Sequence, residues 1–290
     1  MRICFDCPRG CGVDRQVNKG FCGCDDNVTV SGIMLHHYEE PVISGTNGSG
    51  AIFFSGCNLK CVYCQNGAIS TVQSGKKYTQ EHLVRAMLKL QQSGAHNINL
   101  ITPTPYINDI AKTLEVVKPS LKIPVIYNCG GYESVEMLQK LEGLVDIYLP
   151  DFKYMDNEIA KKYSFASDYS VIAQKAIAEM LRQQKEVVIE NGLIKKGVII
   201  RHLVLPGHRD DSIAVIKCIA QNFPTAKISL MRQYTPQFNR SEFKNLDRKI
   251  TSFEYDSVVQ VAISFGLDGF VQQKGCENEK FTPDFAKFFK

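Results

Sequence analysis

From Ala51 onward the chain alternates short apolar runs with longer stretches in which apolar positions recur every three or four residues. The short runs, rich in Val, Ile, Leu and Phe, fall at 51–57, 97–102, 124–129, 145–152, 198–205 and 227–234. Continuous apolarity over so few residues predicts strands buried on both faces. Between them Leu83, Met87 and Leu90, then Ile107, Ile110, Leu114 and Val117, then Ala173, Ile177 and Met180, then Ile213, Ile216 and Ala220 each draw one stripe on a helix. A hairpin interrupts the alternation, with arms at 186–190 and 193–196 around the Asn191-Gly192 turn. Strand and helix in turn predict right-handed βαβ units. The expected fold is α/β, a full or partial (β/α) barrel of parallel strands.

Cysteine usage changes this picture at the amino-terminal end. Eight of the eleven cysteines precede residue 65, which predicts a Cys-rich metal-binding head at 1–42 before a barrel domain at 43–290. An odd cysteine count cannot all pair within one molecule, and no apolar run approaches the ~20 residues of a membrane span. The expectation is a cytoplasmic protein without a membrane partner, its thiols serving metal or redox chemistry. With 34 basic and 30 acidic residues the net charge is only +4, and no dense basic block suggests a nucleic-acid partner.

The sharpest motif follows the first of the barrel strands: Gly56-Cys57-Asn58-Leu59-Lys60-Cys61-Val62-Tyr63-Cys64-Gln65-Asn66. Loops at the carboxyl ends of parallel strands carry the chemistry of such folds. Three thiolates on a four-iron cluster leave one iron open for a substrate, whereas a structural zinc wants a fourth ligand that does not follow nearby. In the head, Cys4, Cys7, Cys11 and Cys22 form C-x2-C-x3-C-x10-C with Cys24 as a spare, a donor set that suits zinc and a second iron–sulfur cluster equally.

With these motifs the chain resembles the radical S-adenosylmethionine (SAM) superfamily, and within it the pyruvate formate-lyase activating enzymes. The resemblance implies that Cys57, Cys61 and Cys64 hold a 4Fe-4S cluster that cleaves S-adenosyl-L-methionine, with Tyr63 near the adenine and Asn66 in the same cofactor site. Asp151-Phe152-Lys153 and Arg201-His202-Leu203-Val204-Leu205-Pro206-Gly207 match two further family segments. By that match Lys153 and Arg201 serve the cofactor or the radical site, oriented by Asp151. On a strand, Asp151 and Lys153 share a face; a surface ion pair is the plain alternative. Two places depart from the family. Thr102-Pro103-Thr104 stands where a Gly-Gly-Glu holds the cofactor's amino group, so Thr102 and Thr104 become the candidate donors. Asn128 replaces an aspartate at the third strand's end.

Cys129 and Cys218 read as buried, His202 as structural, and Tyr234 as a weaker candidate facing the cleft. The helically spaced Phe281, Phe285, Phe288 and Phe289 read as a plug for the barrel. The resemblance implies hydrogen abstraction, with a glycyl-radical enzyme as protein substrate and flavodoxin or ferredoxin as electron donor. Radical modification of another protein, a metabolite or RNA is a second reading, and a non-enzymatic zinc-bound interaction protein a third.

Overall fold

The computed structural model describes residues 3–278 together with Pro283 and Phe285. Ten strands form one sheet: β1 (Thr29–His36), β2 (Ser49–Phe54), β3 (Lys76–Lys77), β4 (Ile98–Ile101), β5 (Val125–Cys129), β6 (Ile147–Pro150), β7 (Val188–Glu190), β8 (Leu193–Leu203), β9 (Lys227–Met231) and β10 (Gly269–Val271). Their order is β10-β9-β8-β6-β5-β4-β2-β1-β3, with β7 paired to β8. Strands β2, β4, β5, β6, β8, β9 and β10 run parallel, while β1, β3 and β7 are antiparallel additions. Among the described residues β3 and β10 do not pair, so the sheet is an open, partial barrel.

All six apolar runs are parallel strands, and the Asn191-Gly192 hairpin is present. Its second arm does not stop before the fifth parallel strand. It runs straight into it, as the single strand β8. Gly197 allows this: its φ is +128°, and a Cβ there would lie 2.8 Å from the Val187 backbone. Strands β1, β3 and β10 lack a signal in the apolar pattern. β1 includes Ser31 and Gly32 beside a register shift, and β3 and β10 are two and three residues long.

The helices are α1 (Pro41–Ser44), α2 (Gly67–Ser70), α3 (Gln80–Gln92), α4 (Ile107–Val117), α5 (Val135–Gln139), α6 (Asn157–Ser164), α7 (Tyr169–Gln183), α8 (Arg209–Asn222) and α9 (Ser252–Ser264). The stripes of α3, α4 and α7 are buried as their spacing requires. On α8 the buried face turns toward Val215, Ile216 and Ile219, leaving Ile213 and Ala220 partly exposed.

Two small apolar clusters close the barrel's interior. Ile43 of α1 packs with Ile126, Ile147, Leu149, Ile194 and Ile199, so the segment after β1 plugs the interior. Phe285 lies edge-on against Phe53 at 5.3 Å between ring centres, while Phe281, Phe288 and Phe289 lie outside the described residues. Between these plugs the inward-facing side chains turn polar.

Candidate active site

β2 ends at Phe54, and its loop leaves through Ser55 and Gly56. Gly56 has φ +82°, and a Cβ there would sit 2.1 Å from Cys24 Sγ, so only glycine fits between the head and the loop. The next turns bring Cys57, Cys61 and Cys64 to one wall of a cleft at the strands' carboxyl ends. Leu59 N–H donates to Cys57 Sγ at 3.3 Å, and Ser164 Oγ donates to Cys61 Sγ at 2.9 Å. Burial pushes the Cys57 thiol up to about 12 and raises Cys61 as well, with the Lys153 ammonium opposing the rise at Cys61. Buried thiols with N–H and O–H donors and a nearby ammonium suit an anionic iron–sulfur cluster better than free thiols. Among the described residues no three His, Cys, Asp or Glu side chains are grouped to hold a single metal ion. A cubane spreads its thiolates over separate irons and does not ask for that convergence.

Opposite the thiols, residues in or just past β1, β4, β5, β6 and β8 build a polar, charged network. Arg201 of β8 donates from Nε to Asp151 Oδ1 at 3.1 Å, from Nη1 to Glu39 Oε2 at 3.1 Å and from Nη2 to Asn128 Oδ1 at 2.6 Å. Lys153 Nζ donates to Asp151 Oδ2 at 2.5 Å. Glu39 Oε1 accepts from Asn99 Nδ2 at 3.0 Å and Asn128 Nδ2 at 3.4 Å. Burial alone would lift the Asp151 carboxyl, but Lys153 and Arg201 beside it win and hold it below its ordinary value. The same pairing overcomes desolvation of Lys153 and Arg201 and raises both. Asp151, Lys153 and Arg201 therefore stay charged at neutral pH.

Backbone geometry fixes where this network stands. Tyr169 OH donates to the Gly130 and Asp151 carbonyls, each at 2.9 Å, and accepts from Lys153 N–H at 3.0 Å, fastening the ends of β5 and β6. Gly131, at φ +79°, leaves no room for a Cβ beside the Asp151 carbonyl. Thr102 has φ +59°, a left-handed conformation that a β-branched residue adopts only under constraint, and its N–H donates to Asn128 O at 2.8 Å.

Of the residues singled out in the sequence, Cys57, Cys61, Cys64, Tyr63, Asn66, Thr102, Asn128, Asp151, Lys153, Arg201 and Tyr234 all line the cleft. Thr104 does not. Pro103 and Pro105 wind it into a 3-10 turn, where its hydroxyl donates to buried Glu133 at 2.8 Å, away from the cleft. Tyr63 is buried with its hydroxyl 2.5 Å from that of Tyr154, and Asn66 Oδ1 is buried without a protein partner. His202 turns away and pairs Nδ1 with Phe152 O at 2.7 Å, while His208 is held by Tyr163 and Asn245. Cys129 and Cys218 are buried. His36, the last residue of β1, and Glu39, just past it, also line the cleft. Nothing local marks them, because Glu39 meets Arg201 across 162 positions of sequence.

Residues 51–217 match the Radical SAM superfamily, a span that contains the thiol loop, Asp151, Lys153 and Arg201. The chain belongs to the radical SAM superfamily. An uncharacterized protein of Methanocaldococcus jannaschii is 32% identical over 92% of this chain and 76% of its own length. The pyruvate formate-lyase-activating enzyme of Clostridium pasteurianum is 26% identical over 76% of this chain and 90% of its own. Among solved structures, a radical SAM methyltransferase from Sphaerobacter thermophilus superposes with TM-score 0.53 at 13% identity, covering 79% of this chain and 68% of that one. SuiB of Streptococcus suis, bound to its precursor peptide SuiA, does so with TM-score 0.52 at 14% identity, covering 76% and 47%. These two likenesses establish the shared fold. Family membership implies a 4Fe-4S cluster and SAM, and the thiol wall of the cleft fits the cluster.

Proposed function

We propose that this radical SAM enzyme abstracts a hydrogen atom from a backbone glycine of a partner protein, acting as an activating enzyme for a glycyl-radical enzyme. The observation that carries the reading is the cleft itself, in which Cys57, Cys61 and Cys64 face Asp151, Lys153 and Arg201. Cys57, Cys61 and Cys64 would hold the cluster, which when bound and reduced would supply the electron for cleaving SAM, with methionine and, after hydrogen abstraction, 5′-deoxyadenosine as products.

This chain's residues do the rest. Lys153, with one protein partner and further N–H donors, offers charge-assisted hydrogen bonds to the SAM carboxylate. Asp151 fixes Lys153 and Arg201, and Asn128 and Glu39 hold the guanidinium plane. Tyr63, Asn66 and Thr102 complete the cofactor's surroundings. A glycine suits as target because flanking amides stabilise its α-radical and its backbone bends freely into a cleft. The relationship to the C. pasteurianum enzyme supports this substrate class. Flavodoxin or ferredoxin is the proposed electron donor. The four head thiols Cys4, Cys7, Cys11 and Cys22 form the second candidate donor set, for zinc or a second iron–sulfur cluster.

The test incubates reduced enzyme and SAM anaerobically with glycyl-radical enzymes of the same cell. The expected result is a glycyl doublet by electron paramagnetic resonance, with deuterium from labelled target glycine recovered in 5′-deoxyadenosine. Formation of 5′-deoxyadenosine without any such signal would remove the glycine assignment and leave radical modification of another substrate.

A further inference from the structure

Residues 3–28 form a unit that is inside out. They contain no helix and no strand beyond one bridge between Ile3 and Asp14. Most of their larger apolar side chains face solvent: Ile3 is 42% exposed, Phe5 62%, Val17 78% and Phe21 36%, while Val13 is half-buried and Val28, next to β1, is buried. The thiols take the interior instead, with Cys4 and Cys22 buried and Cys7 and Cys11 half-buried. Gly20 is the point where two of them meet, since a Cβ there would lie 3.4 Å from Cys11 Sγ and 3.7 Å from Cys22 Sγ. Phe21 N–H donates to Cys11 Sγ at 3.3 Å, the same kind of bond that Leu59 gives Cys57. A segment this short has no hydrophobic core of its own to offset the entropy of ordering it; only Cys22, Cys24 and Val28 at its end join the core of the barrel.

We propose that Cys4, Cys7, Cys11 and Cys22 form a four-thiolate metal site that builds the head and clamps the catalytic loop through it. This rests on the donor set named above and not on the radical chemistry. The fifth head thiol, Cys24, supports Cys22 from behind: it is fully buried, hydrogen-bonds the Cys22 thiol, lies 3.3 Å from Ser55 O as a donor and packs against Gly56. The clamp is Arg9, midway between Cys7 and Cys11. It donates to Asn58 O of the thiol loop at 2.7 Å, to Ser164 O at 3.0 Å and to Phe165 O. Ser164 in turn donates to Cys61 Sγ. Buried Arg15 ties the other side of the head to Asp25 O and Pro105 O. Folding of the head and metal binding are then one event, as in small metal-built domains.

The experiment uses the full chain purified anaerobically, with zinc, iron and sulfide measured per chain. A variant carrying Cys57→Ala, Cys61→Ala and Cys64→Ala is expected to keep head metal, roughly four irons with sulfide, because among the described residues the head thiols, like those of the loop, are not grouped on one ion but suit a cubane. Adding Cys7→Ser and Cys11→Ser should abolish that metal, whereas Cys24→Ser should retain it. In the chain with its loop thiols intact, Cys7→Ser with Cys11→Ser should raise amide exchange at least tenfold over 3–28 and over the Cys57–Cys64 loop. A folded loop-thiol variant without metal, or equal loss on Cys24→Ser and Cys11→Ser, would overturn the proposal. Production of 5′-deoxyadenosine by the unaltered chain is scored separately, so failure here is distinct from failure of the radical reading.

Discussion

At the scale of single residues, Lys153 and Arg201 both carry buried charge beside Asp151 but differ in what their loss leaves behind. Removing Lys153 leaves Asp151 still paired with Arg201. Removing Arg201 strips the counter-charge from Glu39 and half of that from Asp151, and breaking such a buried pair costs about 3–5 kcal/mol. Lys153→Ala is therefore expected to keep fold and cluster while weakening SAM binding at least tenfold by anaerobic calorimetry. Arg201→Ala should lower the melting temperature as well. If Lys153→Ala binds SAM normally, its ammonium serves only Asp151. Glu133 gives a prediction in pH. Burial lifts its carboxyl to about 8 from an ordinary 4.5, against hydrogen bonds from Thr104 and Tyr127. The folded chain thus binds this proton more tightly than the unfolded one. The resulting stability is whole below pH 4.5 and is lost as pH rises through about 8. Glu133→Gln should remove that loss, its melting temperature gaining on the unaltered protein by a few degrees between about pH 5 and 8 and no further above. A constant difference across that range would show that Glu133 titrates normally.

At the scale of elements, what the sequence made legible was whatever repeats locally. Six of the seven parallel strands declare themselves by continuous apolarity and α3, α4 and α7 by their stripes, because each buries its pattern within its own span. Helix α9 carries a different local signal, the reciprocal capping box of Thr251 and Glu254 at its start. Strand β1 was not legible: its register comes from its partner β2, and its contribution to the cleft, Glu39, lies past its end. Thr104 shows the opposite error. Placed by alignment with a glycine-rich edge, it is turned away by the prolines on either side. The junction of β5 and β6 supplies the prediction at this scale. Gly131 and Gly143 both have left-handed φ, +79° and +76°, but a Cβ at Gly131 would lie 2.1 Å from Asp151 O, whereas Gly143 has open space. Gly143→Ala should cost about 1 kcal/mol of stability through its conformation alone. Gly131→Ala must also part the two strand ends, with a further loss of about 1–3 kcal/mol by chemical denaturation and weaker SAM binding. Equal costs at the two sites would mean that the β5–β6 junction yields without moving Asp151.

At the scale of the whole molecule, the cleft is assembled from chain segments that no window of sequence unites: the thiol loop after β2, the ends of β4 to β8, and the stretch after β1 that returns as a plug. The same assembly sets how an electron would arrive. Helix α6 ends beside the thiol loop, where its Ser164 holds Cys61, and its last turn presents Lys161 and Lys162 to solvent. Arg9 and Lys60 lie over the ring of Phe21, which is 6.4 Å from that of exposed Phe165. Although the net charge is a modest +4, cations and aromatic rings thus gather at the outer side of the thiol loop. An acidic flavodoxin would be steered there, and steering by exposed charge acts on association rate and fades with salt. Reversing Lys161 and Lys162 to Glu leaves the thiols, Arg9 and the cleft in place. Stopped-flow reduction of the cluster by reduced flavodoxin at low ionic strength should then slow about tenfold, the difference closing as salt approaches roughly 0.5 M. Dithionite, which needs no docking surface, should reduce both proteins at rates within about twofold of each other, a bound set by its small charge. Loss of rate with dithionite as well would place the damage at the cluster, and undiminished reduction by flavodoxin would move the donor's approach to another face.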